Sequence, residues 1–119
     1  MIKIEGYTIH CTRGDEDEID FNCEDDNGNA YHFEPGQTVI LKVFNKKNYE
    51  DIVLKKVVTV EETCTSVSIP LTSEDTTIGE LINKPVTYHY EISIDDKKTI
   101  IGYDEEGPKQ FILYPEGGE

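Results

Sequence analysis

The sequence predicts an all-β fold, on three observations. Apolar residues recur at every second position in most segments, clusters of Gly, Asn and Asp separate those segments at even spacing, and only one segment has helical spacing. This pattern is typical of an immunoglobulin-like antiparallel β-sandwich, here of about eight strands with one short helical connection. We expect residues 1–115 to form one such domain and residues 116–119 a flexible C-terminal tail.

Apolar and polar residues alternate along the first predicted strands. "YTIHC" and "EIDFNCE" each place apolar residues on one side and polar residues on the other, which indicates one buried and one solvated face. "DDNGNAY" then supplies turn residues. "TVILKVFN" is apolar on both faces and predicts a central strand, while "DIVLKKVVTV" changes phase near Lys55 and Lys56, which predicts a bulge there. "TSVSIPL" contains Pro70, which cannot donate to a β-ladder, so we expect an edge strand.

One segment, "LTSEDTTIGELINKP", departs from this alternation. Thr72 and Asp75 have capping-box spacing. Ile78, Leu81 and Ile82 share a helical face, which predicts one or two helical turns ending before a proline. "VTYHYEISI", "TIIGY" and "QFILYPE" complete the strands. Nine residues are predicted to be buried: Ile19, Phe21, Val39, Leu41, Val67, Ile69, Tyr88, Tyr90 and Ile92.

The net charge of −14 bounds the choice of partner. Nucleic-acid phosphates and anionic membranes both require basic proteins, so we expect neither as a partner. No run of 18 apolar residues is present, and "MIKIEGYTIH" lacks the pattern of a signal peptide. Three cysteines without CxxC spacing favour reduced thiols, and one disulfide bond between two of them is the alternative.

"NCEDDNGNAYHFE" resembles a calcium loop in composition. An EF-hand needs flanking helices, whereas both flanks here alternate as strands, so a β-turn is the preferred interpretation. A cation site outside the EF-hand pattern would use Asp25 and Asp26 together with acids brought near by folding, such as Asp15 or Asp17. We predict no metal and no cofactor.

No catalytic arrangement emerges from the sequence. Cys11 and Cys23 alternate in phase with core residues, and Cys64 follows two glutamates that would raise a thiol pKa. His10 and His89 fall on the predicted solvated faces. The sequence contains neither GxSxG nor a phosphate-binding glycine loop, so we expect a protein that is not an enzyme.

Three stretches carry a family resemblance: "RGDEDEIDFNCEDDNGNAYHFEPGQTVILKVFNKK", "VTVEETCTSVSIPLTSEDT" and "KPVTYHYEISIDDKKTIIGYDEEGPKQFILYP". Together they resemble the immunoglobulin-like N-terminal domains of phage baseplate upper proteins and related tail or head-fibre modules in Gram-positive bacteria. "FEPGQTV" departs from that outline, which has Leu-Thr-Gly after the first hairpin. The resemblance implies synthesis in the bacterial cytoplasm, a place in the virion, and assembly without catalytic residues.

The leading hypothesis is therefore a virion structural module that either binds another virion protein or forms homo-oligomers. Two alternatives are an acidic DNA mimic that inhibits a basic host protein and a surface-binding adhesin module. "QFILYPEGGE" ends in an unbroken apolar run, so the last strand must be central or covered by another chain. We expect assembly through the sheet edge or through this strand, with Ile112 or Tyr114 in the contact.

Overall fold

The computed structural model describes residues 1–45 and 48–116. For residues 48 and 49 it describes the backbone but not the side chains. Lys46, Lys47 and residues 117–119, most of the predicted tail, lie outside the described residues. The strands are β1 (Ile2–Glu5), β2 (Thr8–Thr12), β3 (Asp17–Phe21), β4 (Thr38–Asn45), β5 (Asn48–Thr59), β6 (Val67–Leu71), β7 (Val86–Ile94), β8 (Lys98–Ile101) and β9 (Lys109–Tyr114), with one helix, α1 (Ser73–Thr76). The all-β prediction is confirmed.

Two sheets form a sandwich. The larger sheet has the strand order β1-β2-β9-β7-β4-β5. The strand β8 also pairs with β7, on the same side of β7 as β9. The smaller sheet pairs β3 with β6, setting Ile19 opposite Ile69 and Phe21 opposite Val67. Because Pro70 lies in this two-stranded sheet, its predicted place on an edge strand is confirmed. The apolar faces of both sheets contribute to one core.

The core contains eight of the nine residues predicted to be buried. Tyr88 is the exception, since it is only half-buried. Tyr90 is 2% exposed and its hydroxyl donates a 2.7 Å hydrogen bond to the carbonyl of Tyr7, in the turn between β1 and β2. This bond ties the central strand β7 to the N-terminal hairpin.

One pair of strands in the large sheet is parallel, which the alternating pattern did not predict. β2 runs alongside β9 in the same direction, with His10 opposite Ile112 and Thr12 opposite Tyr114. On its other side β9 pairs antiparallel with β7. The last strand is therefore interior, which is the central alternative of the two expected from its apolar run, and both of its edges are already hydrogen-bonded.

Local predictions failed at three places. The helix stops at Thr76, so Leu81 is 76% exposed and shares no helical face with Ile78. The bulge opposite β4 falls at Val53, where Val43 pairs with Leu54 and Phe44 with Ile52, and not at the lysine pair. The predicted solvated face of β7 is covered, since His89 and Ser93 are buried between strands on both sides. The bulge position and the burial of β7 depend on the neighbouring strands, which sequence spacing does not reveal.

Candidate functional site

The outer face of the large sheet carries a paired histidine and tyrosine. Tyr114 at the end of β9 and His10 in β2 are diagonal neighbours in the parallel register. Their rings stack with centroids 5.8 Å apart and planes inclined by 24°. The Tyr114 hydroxyl lies 2.7 Å from His10 Nδ1. The pair fixes both side chains, because each is held by a ring contact and a hydrogen bond together.

An open cleft of about 620 Å³ adjoins this pair. Its walls come from separate parts of the chain: the β1 strand and its N-terminus, β2, the segment before β7, and the residues after β9. The lining residues are Met1, Lys3, Glu5, His10, Asn83, Lys84, Pro85, Tyr114 and Pro115. Two prolines and a tyrosine give it rigid apolar walls, which lose little conformational freedom when a partner binds.

The charge of the cleft differs from that of the whole protein. Lys3 and Lys84 line it together with only one carboxylate, Glu5, on a chain of net charge −14. Lys3 Nζ lies 2.7 Å from Glu5 Oε1. This hydrogen bond, with the attraction between the charges, raises the pKa of Lys3 and lowers the pKa of Glu5. Because Glu5 offsets Lys3, the lining has one excess positive charge, from Lys84, which suits a ligand that carries a carboxylate.

The two predicted contact residues lie on this face. Tyr114 lines the cleft, and Ile112 sits two residues earlier on β9, between His10 of β2 and Thr87 of β7. Both side chains are half-buried. The structure therefore places the candidate contact on the face of the sheet, where a partner could cover it, and not on a free edge.

The predicted cation ligands are used in local structure. Asp15 pairs with the N-terminal ammonium of Met1, and Asp17 Oδ1 accepts a 2.8 Å hydrogen bond from the Glu18 amide. Asp25 Oδ1 accepts from the amides of Asn27 and Asn29 at 2.9 and 3.0 Å. The structure does not bring these carboxylates together with Asp26, and residues 1–45 and 48–116 contain no cluster of three ligand side chains.

The loop around Asp25 is the turn that the strand pattern predicted. The Gly28 amide donates to the Asp25 carbonyl at 3.0 Å, and Gly28 has a φ of +81°, which glycine adopts without strain. Glu24 and Ala30 form an isolated bridge across the loop. Its acidic and amide side chains thus serve the backbone of a β-turn.

The two cysteines predicted to lie in the core do so. Cys11 and Cys23 are buried free thiols, and burial raises the pKa of Cys11 to about 11 and also raises that of Cys23. Such thiols are poor nucleophiles at neutral pH. Cys64 is half-exposed and also free.

Sequence reasoning missed most of the cleft. His10 was assigned to an ordinary solvated face, and Lys3, Lys84 and the two prolines carried no functional signal. The parallel pairing of β2 with β9 brings the two chain ends side by side, and no local motif encodes it.

In the described part of the chain, no helix has the length and apolar character needed to cross a membrane. Comparison of the chain with protein-family models, curated proteins and solved structures finds no match.

Proposed function

We propose that this chain is a non-enzymatic structural module of a phage or prophage virion, with an immunoglobulin-like sandwich that docks on another virion protein. The observation that carries the proposal is the basic, proline-lined cleft at the β1-β2-β9 end of a strongly acidic domain. The resemblance to baseplate, tail and head-fibre domains supplies the biological class.

The geometry favours a protein partner over a small substrate. The cleft is open, and two lysines and one carboxylate line it. The stacked His10–Tyr114 pair forms part of its wall. Aromatic side chains held rigidly beside apolar walls are typical of protein interfaces. A partner segment that carries carboxylates and one or two apolar side chains would match this surface.

Virion proteomics tests the class of function. We expect peptides of this chain in density-purified virions from cells that carry its gene, at a stoichiometry set by virion symmetry. Absence from virions, in cells that express the protein, would contradict the proposal. If the protein then co-purified with a basic host protein, the acidic-inhibitor alternative would replace it.

One substitution in the cleft and one on the sheet face beside it test the docking surface. Ile112→Lys and Lys84→Glu should each reduce incorporation into virions at least tenfold, since one adds a charge to the contact face and the other removes the charge complementarity. Lys97→Glu, which makes the same charge change in the turn before β8, is the matched control and should be incorporated normally. Equal incorporation of all three variants would show that this face is not the docking surface.

A further inference from the structure

The loop between β8 and β9, residues 102–108, presents an exposed aromatic ring and two unpaired carboxylates, and we call it the Tyr103 loop. Tyr103 is 72% exposed. Glu105 and Glu106 are also exposed, and within residues 1–45 and 48–116 neither carboxylate accepts a hydrogen bond or forms an ion pair. An exposed tyrosine of this kind is typical of a protein interface.

Hydrogen bonds hold the Tyr103 loop in one conformation. Asp104 and Gly107 form an isolated bridge, in which the Gly107 amide donates to the Asp104 carbonyl at 2.9 Å. Asp104 Oδ1 accepts from the Glu106 amide at 2.9 Å, and Asp104 Oδ2 accepts from Lys109 Nζ at 2.7 Å. Because the turn is already formed, its tip loses little conformational freedom when it binds a partner.

A matching surface lies at the other end of β9. The cleft beside His10 and Tyr114 shares Asn83 and Lys84 with an adjoining opening of about 430 Å³, which Leu81 also lines. Leu81 is 76% exposed, and in the described part of the chain Lys84 has no carboxylate partner. This surface therefore places an exposed apolar side chain three residues from an unpaired ammonium group.

We propose that the Tyr103 loop of one copy docks in the cleft of a second copy, with Tyr103 against Leu81 and a carboxylate of Glu105 or Glu106 on Lys84. The loop cannot reach the cleft of its own copy, because the six residues of β9, about 20 Å of strand, separate them. The contact is therefore head-to-tail, and it adds copies in one direction to give a ring or a filament. The inference rests on the proposed function, since it names the occupant of the same docking surface.

Charge selects both sides of this contact. Because each copy has a net charge of −14, two copies repel each other unless the surfaces that meet are locally complementary. The excess positive charge of Lys84 supplies that complementarity. The turn between β7 and β8 is acidic as well, but its two carboxylates already accept hydrogen bonds from Thr38 and Lys42. The Tyr103 loop has unpaired carboxylates beside the most exposed aromatic ring among the described side chains.

Sedimentation experiments in about 0.15 M salt, where the Debye length is about 8 Å, test the contact. The weight-average mass of the wild type should exceed twice the 13.5 kDa monomer mass as the concentration approaches about 1 mM. Lys84→Glu, the cleft variant, and Glu105→Gln/Glu106→Gln, the loop variant, should each raise the dissociation constant at least tenfold. The loop variant also weakens the repulsion between copies, so its loss of association would not come from net charge.

Two matched controls make the same charge changes elsewhere. Lys55→Glu lies on β5, and Glu61→Gln/Glu62→Gln removes an exposed acidic pair between β5 and β6. Both should associate as the wild type does.

An equimolar mixture of the cleft variant and the loop variant distinguishes head-to-tail docking from other modes of association. The cleft variant keeps an intact loop and the loop variant keeps an intact cleft, so one wild-type contact forms and growth should stop at a dimer. A mixture that stays monomeric or grows past the dimer would overturn the inference. So would a wild type that is monomeric or stops at a dimer, or a cleft or loop variant that associates as the wild type does. Detection of the chain in virions together with a monomeric wild type would overturn this inference and leave the proposed function intact.

Discussion

Two aromatic residues pack against each other in the core of the sandwich. Phe21 of β3 meets Phe33 edge-on, with ring centroids 5.9 Å apart and planes at 85°. Both are core residues, and Phe33 has no exposed surface. The alternation of its strand identifies Phe21 as a core residue, whereas Phe33 lies between strands, where no periodicity marks it.

Replacement of Phe21 by Ala should lower the free energy of unfolding by about 3–5 kcal/mol, because lost burial and the remaining cavity both contribute. Urea denaturation measures the loss. Tyr103→Ala, at a side chain 72% exposed, is the control and should change stability by no more than about 0.5 kcal/mol. A loss below about 1 kcal/mol at Phe21 would show that this ring is not packed in the core.

At the scale of the elements, local side chains determine where strands and the helix begin and end. Asp25 stabilises the turn that follows β3, and Thr72 with Asp75 forms the capping box of α1. Sequence spacing predicted both, because each involves residues two to four positions apart.

The turn at Asp25 should be insensitive to calcium. Because its carboxylate is bonded to two backbone amides, Asp25→Ala should cost about 1 kcal/mol of stability. That cost should be the same with and without about 1 mM calcium. Thermal melts in calcium, with magnesium as the control for charge screening, measure this. A saturable calcium-specific rise in Tm that Asp25→Asn abolishes would restore the metal-site hypothesis.

The carboxylate of Asp75 should make α1 sensitive to acid. Burial acts to raise the pKa of Asp75, but the hydrogen bonds that its carboxylate accepts from the Lys56 ammonium and from the Thr72 amide outweigh it, so the net pKa is lowered. A lowered pKa gives stability that is present above the unfolded-state value and is lost as the pH falls through the folded-state value.

Asp75→Asn should therefore destabilise the protein by about 1 kcal/mol at pH 7, where the carboxylate is charged. The difference from wild type should shrink below about pH 4, near the unfolded-state pKa of an aspartate. Denaturant titration at pH 7 and pH 3 measures both differences, with Asp26→Asn as the control in an exposed turn. An equal difference at the two pH values would contradict the assignment of a stabilising charge to Asp75.

At the scale of the whole molecule, one buried arginine ties distant segments together. Arg13, 8% exposed, donates to the carbonyls of Ile78 and Gly79 at 3.2 and 2.6 Å and pairs with Glu116. It thereby holds the segment after α1 and the residues after β9 against the end of β2. Glu116 belongs to the predicted tail, and this ion pair connects it to the domain.

The Arg13 and Glu116 side chains should contribute unequally to the free energy of unfolding. Arg13→Ala should cost about 3 kcal/mol, since it removes charged hydrogen bonds and leaves two carbonyls without a donor. Glu116→Gln should cost less than about 1 kcal/mol, because its side chain is 45% exposed and solvent screens the pair. Urea denaturation compares the two variants, and a larger loss at Glu116 would show that the ion pair and not the carbonyl contacts holds the segment.

The sequence by itself determined the fold class, the core of the regular strands, the turn at Asp25 and the cap of α1. All of these depend on residues close in the chain, whose two-residue periodicity or hydrogen-bonding chemistry can be recognised without knowing what lies beside them. It also placed Ile112 and Tyr114 in a candidate contact, from the unbroken apolar run at the C-terminal end.

Only the tertiary structure decided which edges of the strands are free. β9 is interior because β2 pairs with it in parallel, and that pairing joins residues about a hundred positions apart. The same pairing assembles the His10–Tyr114 cleft from both ends of the chain and leaves β5 at the far edge. Strand neighbours are chosen by the packing of the whole core, so no local pattern could assign the cleft or the free edge in advance.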